Sequence, residues 1–190
     1  SPEVVASFSC TPEDIFIVFQ SDQMASFMFQ EDGSPAEVLF MDDTFGLTQY
    51  GYRLFSLMVR QEDGSGVPVA WLLTNGDDAD RLTFFLKLVA ENAENVQKKL
   101  SPATAGKRFV PKFVMTDQAL TEALAVKQAF PDSCHVICKF HFLCSIRDNL
   151  HRRMKTADKK VKDKILSQIM VLSMGGFASE EQFHERLSKV

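Results

Sequence analysis

The chain has 190 residues, 45% of them hydrophobic, and a formal net charge of −4 at pH 7. That length suits one large domain, or one domain with an appendage, and the apolar share is enough for a proper core. No apolar run approaches the ~20 residues of a membrane span, no signal peptide is visible, and the acidic balance excludes a protein that coats nucleic acid without preference.

The chain begins at Ser1-Pro2 and stops inside a helix-like pattern, so it reads as a piece of a longer protein. Phe is abundant, with 17 copies against 2 Tyr and 1 Trp. Three of the four cysteines, Cys134, Cys138 and Cys144, crowd one stretch that also holds His135 and His141, and Cys10 stands apart. That is not the spread framework of a secreted mini-protein, so a reducing compartment, cytosol or nucleus, is expected. Charge is uneven: Lys139 to Lys164 holds nine Lys/Arg and three Asp, net +6, which leaves the remainder at −10. One basic face on an acidic body is expected.

In chain order, Asp14 to Phe19 and Met24 to Gln30 are short apolar runs that read as strands, and Glu31 to Pro35 is a turn. Val38 to Met41 is an apolar strand running straight into Asp42-Asp43-Thr44. Tyr52 to Arg60 and Val67 to Thr74 follow as strands around the turn Gln61 to Gly66, which makes an antiparallel meander. Pro68 is tolerable near a strand start or at an edge, where no ladder donor is needed.

The period then changes. Leu82, Phe85, Leu86, Val89, Ala93 and Val96 recur at helical spacing, with Asp77, Asp78 and Asp80 where a helix dipole favours them, and a helix is predicted from about Asp78 to about Lys99. Phe109 to Met115 is the next strand and ends at Thr116-Asp117. A helix follows with Ala119, Ala123, Val126 and Phe130 on one face, then a strand from Cys134 to Phe140. Helices are predicted around Leu143 to Met154 and Val161 to Leu172, stopped by Gly175-Gly176, and Ser179 to Gln182 looks like the capping box of a last helix. The order β-β-β-α-β-α-β-α with a helical tail predicts an α/β fold: a mixed five-stranded sheet with helices on both faces.

Two apolar strands end in carboxylates, at Asp42 and at Asp117. Sites in open α/β sheets gather at strand carboxyl ends, and this strand order makes the two strands neighbours. A pair of carboxylates without a base partner suits Mg²⁺ or Mn²⁺, and such ions can activate a nucleophile and stabilise a leaving oxygen in phosphodiester cleavage. Each Asp alone is also an ordinary turn former or cap, and Asp117 stands where an N-cap would. Asp43 points to the opposite face by alternation and ranks second.

The spacing Cys134-x3-Cys138-x2-His141-x2-Cys144 invites a zinc reading. Ligands inside one strand and one helix suit packing better than the knuckles and loops of zinc sites, so zinc is not expected here. Arg147, Arg152, Arg153 and Lys155, with the lysines after them, flank the turn between two predicted helices. They fit a solvated face and equally a set of DNA phosphate contacts.

Phe40-Met41-Asp42-Asp43-Thr44-Phe45, with Tyr50 and Leu54, resembles the first-aspartate block of Mutator-like element (MULE) transposases, where Asp-x-Thr ends the first strand. Phe113 to Asp117 resembles their second-aspartate block, and Phe130-Pro131-Asp132 followed by Cys138-Lys139-Phe140-His141 resembles their Cys-x-x-His motif. The stretch from about Val38 to about Arg153 is similar in order and spacing, above all to the RNase H-like domain of SWIM-type zinc-finger proteins.

The resemblance implies an RNase H-like, DDE-type core: Asp42 and Asp117 as catalytic metal ligands for Mg²⁺ or Mn²⁺, Thr44 as a motif residue, and Cys138 with His141 orienting the strand-helix corner. It implies a nuclear protein with DNA as substrate, and the start of a helical insertion after Leu143. The third carboxylate of the family, a Glu, is expected beyond this chain or lost; Glu180, Glu181 and Glu185 read as structural. The expected organisation is an N-terminal extension with short strands (1–35), an RNase H-like core (36–155) and a helical tail or insertion start (156–190). Two functions follow: metal-dependent DNA cleavage and strand transfer, or a catalytically inactive, domesticated scaffold serving DNA or protein binding.

Overall fold

A computed structural model describes residues 4–5, 8–11, 14–44, 49–61, 63–102, 106–155 and 158–173. The predicted stop at Gly175-Gly176, the capping box at 179–182 and Glu180, Glu181 and Glu185 lie outside the described residues. The chain divides into two compact units, Ser1–Val136 and Ile137–Val190.

The first unit is built on a mixed sheet. Its strands are β1 (Val4–Val5), β2 (Phe8–Thr11), β3 (Asp14–Ser21), β4 (Val38–Thr44), β5 (Arg53–Arg60), β6 (Gly66–Thr74), β7 (Phe113–Thr116) and β8 (Cys134–Ile137). They run in the order β1-β3-β6-β5-β4-β7-β8, with β2 also on β3. The five predicted strands form the continuous stretch β6-β5-β4-β7-β8, and β3 extends it with β1 and β2 beyond. β4, β5 and β6 make the predicted antiparallel meander, and β7 joins β4 in parallel, pairing Val38 with Phe113, Leu39 with Val114 and Phe40 with Met115. Pro68 sits in an interior strand but harmlessly, because β3 pairs with β6 only from Trp71 to Thr74.

Alternation gives the sheet one fully buried face. Leu39 and Met41 of β4, Phe55, Leu57 and Val59 of β5, Leu72 of β6 and Val114 of β7 enter a single core. Against them lie Leu82, Phe85, Leu86, Val89, Ala93 and Val96, the predicted stripe of helix α2 (Ala79–Leu100; α1 is Asp22–Ser26). Asp78 caps α2, its side chain accepting the Arg81 N–H at 2.9 Å, and Lys98 and Lys99 close the last turn. Both ends therefore suit the helix dipole.

The first unit departs from the predicted elements in three places. Met24 to Gln30 is not a strand: the Ser21 hydroxyl accepts the Met24 N–H at 3.2 Å and starts α1, and Ala25, Met28 and Phe29 are buried at helical spacing. The strand predicted from Phe109 begins only at Phe113, since Pro111 has no N–H to give a ladder. Phe109 instead donates its N–H to Glu94 at 2.8 Å and buries its ring edge-on to Phe29 and Phe130. The helix after Asp117, α3 (Leu120–Ala129), buries Val126 and leads to a buried Phe130 as expected, but it is Glu122 and Ala125, not Ala119 and Ala123, that complete the buried face.

The second unit holds helices α4 (Lys139–Arg153) and α5 (Lys159–Ser173). The strand predicted to reach Phe140 stops at Ile137, and Cys138 becomes the N-cap position of α4 without a side-chain capping bond.

Candidate functional site

Asp42 and Asp117 stand at one end of the sheet. β4 and β7 pair in parallel up to Phe40 and Met115, so two residues further on each strand lie Asp42 and Asp117, at the same level on neighbouring carboxyl ends. Asp42 is exposed, opposite Ser56 on β5, and Asp117 is half-buried. Thr44, the last residue of β4, is exposed opposite Leu54.

Asp43 faces the other way, as alternation requires, and is not idle. Its side chain is 1% exposed and ion-paired to Arg53 at the start of β5, whose Nε donates to Asp43 Oδ2 at 2.7 Å. A second guanidinium nitrogen binds the same oxygen and a third binds Asp77, just before α2. Asp43 Oδ1 is buried with no hydrogen-bond partner among the described residues. Burial raises the Asp43 carboxyl above the usual range, Arg53 opposes this, and the charges of Asp117 and Asp42 add to it.

A fourth carboxylate was not anticipated. Glu122, in the first turn of α3, is 1% exposed, and its Oε2 accepts the backbone N–H of Asp117 at 3.3 Å. Burial, then the charge of Asp117, push its carboxyl up to about 8. Asp117 is not the N-cap of α3, a position that falls to Ala119 without a side-chain bond; its Oδ1 instead accepts the Ala119 N–H at 2.6 Å, a turn that leads the chain into α3. Behind it, the buried Thr116 hydroxyl donates to the Asp117 carbonyl at 2.9 Å and lies 2.8 Å from His135 Nε2 on β8. Burial lowers the His135 pKa.

Sequence reasoning passed over Glu122, Arg53 and the His135 contact. Glu122 carried a signal, since it stands four residues before the buried Val126 and so on the same helix face. The Arg53–Asp43–Asp77 cluster carried none, because it joins positions 10 and 24 residues apart through the tertiary structure.

The remaining predicted residues belong to the second unit. Cys138 and His141, both half-buried, fall at the start of α4, where the His141 ring meets Phe140 at 5.5 Å. Arg147 is exposed and ion-paired to Asp148 at 3.3 Å, and Arg152 donates to Asn149 at 3.3 Å. Arg153 and Lys155 are exposed. Among the described residues no group of three or more His, Cys, Asp or Glu side chains is placed to hold a metal ion. No helix among them is long and apolar enough to cross a membrane.

A mixed sheet of this strand order, flanked by helices and with aspartates level on two adjacent strand ends, defines an RNase H-like domain. Residues 2–136 match the family described as zinc finger SWIM domain-containing protein 1/3, RNaseH-like domain, and the chain belongs to that family. The match ends where the first compact unit ends. Comparison with curated proteins finds no match.

Proposed function

We propose that this is a transposase-derived, DDE-type domain of the Mutator-like lineage, acting on DNA in the nucleus at the carboxyl ends of β4 and β7. The observation that carries the reading is the parallel register that sets Asp42 and Asp117 level with one another. The donor set suits Mg²⁺ or Mn²⁺: Mg²⁺ is commonly held by one or two carboxylates, with waters and substrate phosphates completing its shell. Asp42 and Asp117 would hold the ion, which when bound polarises a phosphodiester and lowers the pKa of attacking water. Asp117 is held in place for this by Ala119, Glu122 and Thr116. Arg147, Arg152, Arg153 and Lys155 are the proposed phosphate contacts, Arg147 least among them because Asp148 already pairs it.

A second reading is a catalytically inactive scaffold for DNA or protein binding. It is favoured by the engagement of Asp43 with Arg53, which already commits one acid and the cation at this end of the sheet. Nicking of supercoiled DNA with Mn²⁺ separates the two. The nuclease reading expects activity from the full-length protein that Asp42→Ala and Asp117→Asn each abolish. No nicking, or nicking indifferent to both substitutions, leaves the scaffold.

A further inference from the structure

The chain has two tyrosines, and both stand at the carboxylate end of the sheet, just ahead of β5. The rings of Tyr50 and Tyr52 pack together with centroids 5.8 Å apart, tilted 30° to one another. Gly51 between them has φ 74, a left-handed conformation that other residues adopt only under strain, and it sets the turn that places Tyr50. Tyr50 is 70% exposed. Extending the alternation of β5 backwards puts Tyr52 on the face of Leu54 and Ser56, and Ser56 is the cross-strand partner of Asp42. Four residues at ~3.4 Å each place Tyr52 about 14 Å along the strand from the level of Asp42.

Until a divalent cation is bound, the charges at this end oppose a phosphate chain. The charges of Asp42 and Asp117 reach Asp43, and the Arg53 cation beside them is already held by Asp43 and Asp77. A nucleic acid led here gains little from its backbone. It gains from a flat, uncharged surface on which a base can stack, and a base offers such a face only once it is unpaired.

We propose that Tyr50, backed by Tyr52, is a stacking platform for an unpaired base of single-stranded DNA entering the carboxylate end. The proposal rests on the nucleic-acid reading of the fold given above. It makes the preferred ligand of this end a strand that is open, frayed or displaced rather than an intact duplex.

The test uses the full-length protein in EDTA at low salt, with fluorescently labelled oligothymidylate and a duplex of the same length. Wild type binds the single strand. Tyr50→Ala weakens that binding about 5- to 100-fold, the equivalent of ~1–3 kcal/mol per stacked base, and leaves duplex binding unchanged. Tyr50→Phe retains the affinity and Tyr50→Leu does not, since an apolar side chain without a ring face cannot stack. The proposal is overturned if wild type does not bind oligothymidylate, if Tyr50→Ala binds it normally or loses both ligands equally, or if Tyr50→Leu substitutes fully. Because no divalent cation is present, the result is independent of nicking: stacking without nicking overturns only the nuclease reading.

Discussion

Glu122 accepts the backbone N–H of Asp117 at 3.3 Å while being itself only 1% exposed, so a carboxyl group of α3 is buried against the acid that follows β7. The ionised form of Glu122 is opposed both by burial and by the charge of Asp117. With the folded value at about 8 and the ordinary value at 4.5, the folded chain binds this proton more tightly than the unfolded chain. Glu122 therefore costs nothing below the ordinary value, and stability falls as pH rises from there towards 8. The slope contributed in that window approaches ~1.4 kcal/mol per pH unit. Glu122→Gln keeps an acceptor for the Asp117 N–H and removes the titration. Urea midpoints measured from pH 5 to pH 9 should fall for wild type and stay flatter for the variant; parallel curves would refute this.

Arg53→Met should be among the most disruptive changes near the site. It leaves Asp43 buried without its cation, and breaking a buried pair from one side costs about 3–5 kcal/mol. Arg53 is 17% exposed, so screening trims this towards the lower figure. The loss should shrink in acid, where Asp43 takes up a proton, and Asp43→Asn should restore much of the stability in the double variant. Denaturant unfolding of the two single variants and the double variant gives the coupling directly; additive losses would deny it.

Asp42 and Asp117 should separate stability from activity. Asp42 is exposed, and Asp42→Ala should shift unfolding by no more than ~0.5 kcal/mol. Asp117→Ala removes the acceptor for the Ala119 N–H and should cost ~1 kcal/mol, whereas Asp117→Asn keeps that acceptor. If the site holds a divalent cation, all three lose Mn²⁺ affinity in calorimetry regardless of their stability. Retained affinity in Asp117→Asn would show that Asp117 serves the turn alone.

The basic helix end of the second unit should reveal itself by salt. Replacing Arg152, Arg153 and Lys155 together with Ala should reduce the slope of log affinity for duplex DNA against log salt by about 0.9 for each phosphate no longer neutralised. Replacing Arg147 should change it less, because Asp148 already neutralises part of its charge. Fluorescence anisotropy across a salt series measures both, and an unchanged slope in the triple variant would assign these residues to the solvated surface.

Local chemistry decided much of this molecule, and it was readable. Alternation in Val38 to Asp43 and the 3.6-residue stripe from Leu82 to Val96 place side chains by backbone geometry alone, and strand and helix form where those periods predict them. The order of elements was enough to put β4 beside β7 and so Asp42 level with Asp117. What required the tertiary structure was every property that depends on a partner distant in sequence. β3 joined the sheet because β6 had an unpaired side, and Met28 was drawn into a helix-spaced core that its apolar run did not disclose. Arg53 met Asp43 and Asp77, and Glu122 lost its water against Asp117. A residue's period fixes which way it points, but its charge state and its bonds follow from what stands opposite, and only the assembled fold decides that.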